Sequence, residues 1–288
     1  TAKQVIMQKI REAERASVMV EFGGKEGDVV NGIVQRAERG NVYVDLGRAT
    51  GVMPYAEQIP GERFRPGERI RAYLFSVEEG QRGVFLRLSR AHPEFLRKLF
   101  EMEVPELTNG TIELKAITRE PGSRSKIAVH SNDERIDPVG ALVGQRGVRV
   151  STLTSELGGE RIDVIEYSEN PQEFIEDALS PAEVLSVELD EENHKATVEV
   201  ADDQQSLAIG RGGQNVRLAA RLTGWAIDIK SARGEDLAET DGDTVEVTEK
   251  PEEADATEDA AVGHEPVATA DDEAAHEAGV EKEEGAVQ

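Results

Sequence analysis

Two short glycine loops contain the residues whose types and spacing could do chemistry in this chain of 288 residues. Gly144–Gly147 reads Gly-Gln-Arg-Gly, and Gly210–Gly213, 66 positions later, reads Gly-Arg-Gly-Gly. A glycine lets a phosphodiester backbone come within hydrogen-bond distance of main-chain N–H groups, because no Cβ obstructs the approach. A helix N-terminus after such a loop also favours an anion. The middle residues carry no carboxylate, so both loops could bind phosphates.

The elements around the loops form an internal repeat. Val143–Val150 corresponds to Ile209–Val216, and Pro93–Leu96 is similar to Pro171–Ile175. Each copy reads helix, strand, strand, helix, glycine loop, helix, strand, and repeats of this kind are units of structure. We therefore predict two α/β modules, each with one three-stranded sheet and helices packed on it. A single G-x-x-G occurs in many helix corners, whereas two at matching places in a duplicated unit indicate a shared function.

Residues 25–89 have a different sequence pattern, with five short strand-like runs separated by glycines and prolines. This pattern suits a small closed barrel of the OB kind, which binds oligonucleotides across one face. Gly40–Gly47, Gly51–Pro54 and Leu86–Arg90 resemble segments of the S1 domain, an RNA-binding OB barrel. In that domain the place of Tyr43 usually carries an aromatic ring that stacks on a base. The alternative is a ring packed under a neighbouring loop.

Longer segments carry a closer resemblance, and both repeats resemble the KH domain of the bacterial type II variant, whose G-x-x-G loop clamps about four nucleotides. Residues 91–95, 119–129, 137–147 and 207–219 closely resemble the NusA family of bacterial transcription termination/antitermination factors. The resemblance runs from about residue 1 to 231. It implies a single-stranded nascent RNA partner, including ribosomal RNA leader antitermination sites. It also implies contact with RNA polymerase, mainly through an N-terminal domain, and with other Nus factors, in modulating pausing, termination and antitermination.

The expected fold class is multidomain α+β, with an OB-type five-stranded β-barrel, two type II KH domains and a disordered acidic tail. We expect a remnant helix of the polymerase-binding domain at 1–22, the S1 domain at 23–90, the KH domains at 91–168 and 169–231, and the tail at 232–288. The candidate RNA-binding residues are Gly144, Gln145, Arg146, Gly147, Arg149, Gly210, Arg211, Gly212, Gly213, Arg217 and Tyr43.

The net charge of −25 would argue against a nucleic-acid partner if it were spread evenly. Seventeen of these negative charges, however, lie in 232–288, a segment without any aromatic residue. Such a composition cannot offset its ordering entropy, so disorder is expected there. The tail is either a solvating segment or one that docks on a partner or competes with RNA for a basic face.

Several classes of function are disfavoured by what the chain lacks. It has no cysteine, P-loop, H-E-x-x-H or G-x-S-x-G, so we expect no enzyme, no cofactor and no metal. Asp133, Glu134 and Asp137 cluster, but acids before a helix more often cap it than bind metal. No apolar run approaches a membrane span and no signal peptide is recognisable, so a cytoplasmic protein that contacts no membrane is expected. We also expect a monomer. The alternative function is an RNA-binding part of an RNA-processing or ribosome-assembly factor.

Overall fold

The computed structural model describes residues 2–80, 83–233 and 236–247. The first element is helix α1, Ala2–Gly23, so the segment expected to be a helix is helical. Its C-terminal end is fixed to the next domain, because Phe22 is buried and Val18 packs against the same core. Among the described residues no helix is long and apolar enough to cross a membrane.

The first domain is the predicted closed five-stranded barrel, with strand order β1-β2-β3-β5-β4. Alternating side chains point inward, as in β2, where Val42 and Val44 are buried between half-buried neighbours. The strands are β1 Val29–Glu38, β2 Asn41–Asp45, β3 Thr50–Met53, β4 Arg69–Gly80 and β5 Gly83–Ser89.

The second domain contains the first repeat. Its sheet has the order β6-β7-β8, with β6 antiparallel and β8 parallel to β7. The elements are α2 Pro93–Glu103, α3 Pro105–Thr108, β6 Ile112–Glu120, β7 Arg124–Ser131, α4 Pro138–Val143, α5 Val148–Glu156 and β8 Arg161–Glu166. Asp137 caps α4 by accepting a hydrogen bond from the Gly140 N–H at 3.0 Å, which confirms the capping interpretation of that carboxylate.

The third domain repeats this order without a counterpart of α3. It is built from α6 Pro171–Ala178, β9 Val184–Asp190, β10 Lys195–Val200, α7 Gln205–Ile209, α8 Gln214–Thr223 and β11 Ala226–Ser231. Strand β10 lies between β9, antiparallel to it, and β11, parallel to it. The two repeats therefore have the element order that the sequence predicted.

Two further strands correct the prediction that this sheet has three strands and that disorder starts at residue 232. β12 Asp236–Thr240 pairs with β11, and β13 Val245–Val247 pairs with β12, so the sheet has five strands. The edge of β11 offers unpaired N–H and C=O groups, and β12 satisfies them. Leu237 and Ala238 add apolar burial, each being 2% exposed. The rest of the predicted tail, 248–288, lies outside the described residues.

Arg90 forms the junction between the barrel and the second domain. Its guanidinium, 4% exposed for the residue as a whole, donates to both carboxylate oxygens of Glu62 at 2.7 and 2.9 Å. It also donates to the Glu156 carboxylate at 3.1 Å and to two carbonyl oxygens, those of Arg71 and Glu156. One buried side chain thus ties β4 and the loop before it to the end of α5.

The two repeats share a packed junction as well. Helix α8 of the third domain lies against β6 and β7 of the second, and the Thr118 hydroxyl donates to the carbonyl of Leu218 at 3.2 Å. Lys126, fully buried in β7, donates to the Ser180 carbonyl at 2.7 Å and to Asp163 at 3.2 Å. Its burial lowers the pKa of the Lys126 ammonium to about 8.

Candidate nucleic-acid interface

The two glycine loops have the same backbone conformation. Gly144 and Gly210 have φ/ψ of 77°/171° and 73°/172°, and the loops end at Gly147 and Gly213 with 74°/14° and 73°/13°. The third loop residue is left-handed in both, with φ 54° at Arg146 and 59° at Gly212. The repeat seen in the sequence is therefore a repeat of local geometry.

Short hydrogen bonds hold each loop between two helices. The Gly147 N–H donates to the Gly144 carbonyl at 3.0 Å, and the Gly213 N–H donates to the Gly210 carbonyl at 3.1 Å. The N–H groups of the middle residues take no part in these bonds. Each loop leads directly into the first turn of α5 or α8, where backbone N–H groups lack intrahelical acceptors. Both loops thus combine donors and the positive end of a helix dipole, which suits a phosphate.

The first glycine of each loop also serves the packing of the following helix. A Cβ on Gly144 would lie 2.9 Å from Cγ of Arg149, and one on Gly210 would lie 2.8 Å from Cβ and the backbone N of Asn215. At both positions the following helix comes too close for any side chain.

The middle residues of both loops are exposed. Gln145 and Arg146 lie in solvent in the first loop, and Arg211 and Gly212 do so in the second. They offer an amide and two guanidinium groups without a carboxylate among them, as the sequence indicated. A chain of phosphates can therefore approach either loop without meeting a negative side chain from the loop itself.

Arg149 is partly exposed and also contacts the helix before its loop. Its guanidinium donates to the Ala141 carbonyl at 2.6 Å and lies 3.8 Å from the Glu106 carboxylate. At the matching position of the second repeat, the Asn215 amide donates to the Leu207 carbonyl at 3.0 Å. Ala141 and Leu207 are themselves equivalent, so both side chains tie the two helices around the loop together. Sequence reasoning missed Asn215, although the 66-residue offset would have aligned it with Arg149.

Arg217 contacts both its own loop and the second domain, and its Nη1 donates to the Gly212 carbonyl at 3.4 Å. Its Nε donates to Glu120 Oε1 at 2.7 Å, across the junction between the repeats. Gln214 donates to the other oxygen of the same carboxylate at 2.6 Å. Burial raises the pKa of Glu120, but the hydrogen bonds from Arg217 and Gln214 outweigh it, and the net pKa lies below its usual value. The carboxylate therefore stays ionised at neutral pH and holds α8 against the second domain.

Tyr43 lies on β2 of the barrel and is half-buried. The guanidinium of Arg36 stands over its ring, with Cζ 4.0 Å from the ring centroid. This contact is a cation–π interaction, which keeps one face of the ring beside a positive charge.

Comparisons with known proteins match all three domains. Residues 24–89 match the S1 RNA binding domain, 90–167 the NusA-like first KH domain, and 171–236 the NusA-like second KH domain. The chain is 51% identical over 231 residues to the transcription termination/antitermination protein NusA of Halalkalibacterium halodurans, which covers 80% of this chain and 60% of that protein.

Two further NusA proteins match to a similar extent. The relative from Bacillus subtilis is 50% identical over 231 residues, covering 80% of this chain and 62% of its own length. The relative from Thermus thermophilus is 49% identical over 238 residues, covering 82% of this chain and 62% of its own length. This chain thus spans about three fifths of the length of the curated relatives that it matches.

Proposed function

Since this chain belongs to the NusA family through its S1 domain and two KH domains, we propose that it is an RNA-binding transcription elongation factor. It binds single-stranded nascent RNA and modulates pausing, termination and antitermination by RNA polymerase. The observation that carries this proposal is the pair of G-x-x-G loops, which share one backbone conformation and present exposed, acid-free middle residues at a helix N-terminus. The protein acts by binding, without a cofactor or metal and away from membranes, as a monomer in the cytoplasm.

The three domains act as one composite surface. Arg90 joins the barrel to the first KH domain, and Arg217 joins the two KH domains through Glu120. Modules held at fixed distances bind one RNA strand more tightly than separate modules, because the first contact raises the effective concentration of the next. The partners that fit such a surface are ribosomal RNA leader antitermination sites, RNA polymerase and other Nus factors.

The RNA-binding part of the proposal is tested by titrating the chain with an unstructured 20-nucleotide single-stranded RNA. We expect binding at low salt, with the log of affinity falling against log salt by about 0.7 for each neutralised phosphate. A duplex of the same sequence serves as control and should bind more weakly, because its stacked bases cannot be splayed against the KH domains. No single-strand binding at low salt would refute the proposal.

The transcriptional part is tested on a template with a hairpin-dependent pause and terminator, transcribed by bacterial RNA polymerase. We expect the chain to change the pause lifetime, and the change to disappear when Gln145 and Arg146 are both replaced by Asp. A chain that binds RNA, leaves pausing unchanged and co-purifies with ribosomal subunits instead of RNA polymerase would favour the processing or assembly alternative.

A further inference from the structure

The surroundings of the two glycine loops differ although the loops themselves are alike. A Cβ on Gly147, the last glycine of the first loop, would meet no described atom within 4 Å. Gly213, its counterpart, is buried, and a Cβ there would lie 2.5 Å from Cγ1 of Val245 on β13. The absence of a side chain at Gly213 therefore makes room for the chain's own hairpin, formed by residues 236–247 and called here the C-terminal hairpin.

The C-terminal hairpin lies along α8 from the loop to the last turn of that helix. Val245 covers Gly213 at the beginning of α8. In the hairpin turn, a Cβ on Gly242 would be 3.0 Å from Cγ of Arg221, and Asp243 Oδ1 lies 3.5 Å from Arg221 Nη2. The hairpin thus occupies the space between α8 and the outer edge of β11. In the described part of the chain, the equivalent strand β8 of the first KH domain has a strand neighbour on one side only.

The hairpin is held more firmly on its β12 side than on its β13 side. Leu237 and Ala238 of β12 are buried in the core of the second KH domain, and Lys230 and Lys195 form ion pairs with Asp236 and Glu239 at 3.3 and 2.7 Å. β13 has three residues, of which Val245 alone is partly buried against that core. A short outer strand with little burial opens more easily than the strand it pairs with.

The charge of the hairpin resembles that of the ligand proposed for this site. Its twelve residues include five carboxylates and no basic residue: Asp236, Glu239, Asp241, Asp243 and Glu246. Asp243 lies against Arg221 on α8, the helix whose N-terminus carries the second loop. Carboxylates here repel phosphates that approach the loop, and the Asp243 carboxylate pairs with an arginine that would otherwise attract phosphates.

We propose that the C-terminal hairpin is an intramolecular competitor that covers the last glycine of the second G-x-x-G loop and fills the space between α8 and β11, so that single-stranded RNA engages this loop fully only when β13 is released. This inference rests on the RNA-binding function proposed above and names the regulation of one of its two sites. In the protein without RNA the first loop is open, so it binds RNA first. The second loop binds RNA when the RNA displaces the hairpin.

The expected effect on affinity follows from the population of the open form. If the hairpin is open in about a tenth of molecules or fewer, its release raises the affinity contributed by the second loop by about tenfold or more. Val245→Ser removes the two methyl groups that lie over Gly213 without changing the net charge. Arg211→Asp with Gly212→Asp disables the second loop, and Gln145→Asp with Arg146→Asp disables the first.

The test combines these variants in the full chain and measures binding of a fluorescein-labelled 20-nucleotide single-stranded RNA. We expect Val245→Ser to raise the affinity about tenfold, and the second-loop variant to abolish this gain. In the wild-type background, the same second-loop variant should cost far less affinity than it does beside Val245→Ser. Equal losses in the two backgrounds, with no gain from Val245→Ser, would show that RNA uses the loop while the hairpin is in place.

A disulfide supplies the opposite perturbation, since the chain has no cysteine. Glu239 and Glu246 face each other in the register of β12 and β13, so Glu239→Cys with Glu246→Cys ties the covering strand to its neighbour. Combined with Val245→Ser, the oxidised pair should abolish the gain of about tenfold in affinity, and reduction of the same sample should restore that gain. Identical affinity in both redox states would overturn the proposal.

Hydrogen exchange on the unaltered protein gives a measurement that needs no variant. Saturating RNA should speed exchange in 236–247 while it slows exchange at the two loops. Unchanged protection of the hairpin, together with new protection at Gly210–Gly213, would overturn the proposal and leave RNA binding intact. Failure of every form to bind RNA at low salt, by contrast, would overturn both this inference and the proposed function.

Discussion

Replacing Arg90 by Met should loosen the junction between the barrel and the first KH domain. The side chain of Arg90 is 5% exposed and those of its partners Glu62 and Glu156 are 13% and 27% exposed. Burial lowers the pKa of Arg90, but the hydrogen bonds to Glu62 and Glu156 outweigh it and leave that pKa above its usual value, so the guanidinium keeps its charge. The Met side chain fills a similar volume but leaves both carboxylates without their cation.

The expected loss is about 3 kcal/mol of local stability. Removing one partner of a buried ion pair costs about 3–5 kcal/mol, because an uncompensated charge stays buried. The lower end applies here since Glu156 is partly exposed and can regain water. Since about 1.4 kcal/mol corresponds to a factor of ten in an equilibrium constant, this loss raises the equilibrium constant for opening of the junction about a hundredfold.

Amide hydrogen exchange measures this opening directly. The N–H groups of residues 90 and 91 both donate to the Glu57 carbonyl, at 2.8 and 3.1 Å, so they report on the junction itself. Their exchange should become about a hundredfold faster in Arg90→Met, whereas amides in β10 and β11 of the second KH domain should be unaffected. Adding Glu62→Gln and Glu156→Gln should recover part of the loss. A change below threefold at both amides would refute the reasoning.

Three further predictions concern the second KH domain, the buried lysine and the barrel. Gly213→Ala should destabilise the protein by about 1–3 kcal/mol more than Gly147→Ala, because φ is nearly the same at both positions and only Gly213 lies under Val245; equal losses in urea unfolding would contradict this. The pKa of Lys126 is about 8 in the folded protein against an ordinary 10.5. Between these two pH values the unfolded chain binds more protons than the folded protein, so the free energy of unfolding rises with pH, by up to about 3 kcal/mol. Lys126→Met should remove this rise, and a variant with the same pH dependence as the wild type would argue against a buried ammonium. Tyr43→Leu should weaken binding of single-stranded RNA by about 1–3 kcal/mol if the ring stacks on a base, and an unchanged dissociation constant would assign the ring to packing.

The organisation of the chain could be predicted from local sequence because each signal is carried by nearby residues. Glycines and short apolar runs indicated the five strands of the barrel, and the 66-residue offset between Gly144 and Gly210 indicated the repeated unit. The left-handed conformation of the first loop could not be predicted in this way, because Arg146 stands where the second loop has Gly212 and a non-glycine residue rarely adopts a positive φ.

The roles of individual arginines could not be predicted, because they depend on partners far along the chain. Arg217 binds Glu120, which is 97 positions away, and no local pattern distinguishes it from Arg211, which lies in solvent. Both stay candidates for RNA contact, Arg211 at an exposed position of the loop and Arg217 beside the Gly212 carbonyl. The fold separates an arginine that fastens two domains from one that is exposed beside the loop.

The C-terminal hairpin was missed because its signal was averaged with that of the following residues. The composition of 232–288 is that of a disordered segment. The twelve residues of the hairpin include five acids, so they do not stand out from that composition. Asp236–Thr240 nevertheless buries Leu237 and Ala238, and Asp241 accepts the N–H groups of Asp243 and Thr244 at 2.9 Å to close the turn. Packing against an existing strand edge stabilised a segment whose own propensity is low.

The central claim is that the G-x-x-G loops bind single-stranded RNA, and the affinity of the first-loop variant tests it most directly. Gln145→Asp with Arg146→Asp changes the charge by three units at exposed positions of the open loop. Gln8→Asp with Arg11→Asp makes the same changes on the exposed part of α1 and serves as the matched control. If the loops bind RNA, the loop variant loses most of its affinity for a 20-nucleotide single-stranded RNA while the control keeps it. Equal affinities of the two variants would show that the first loop does not bind RNA.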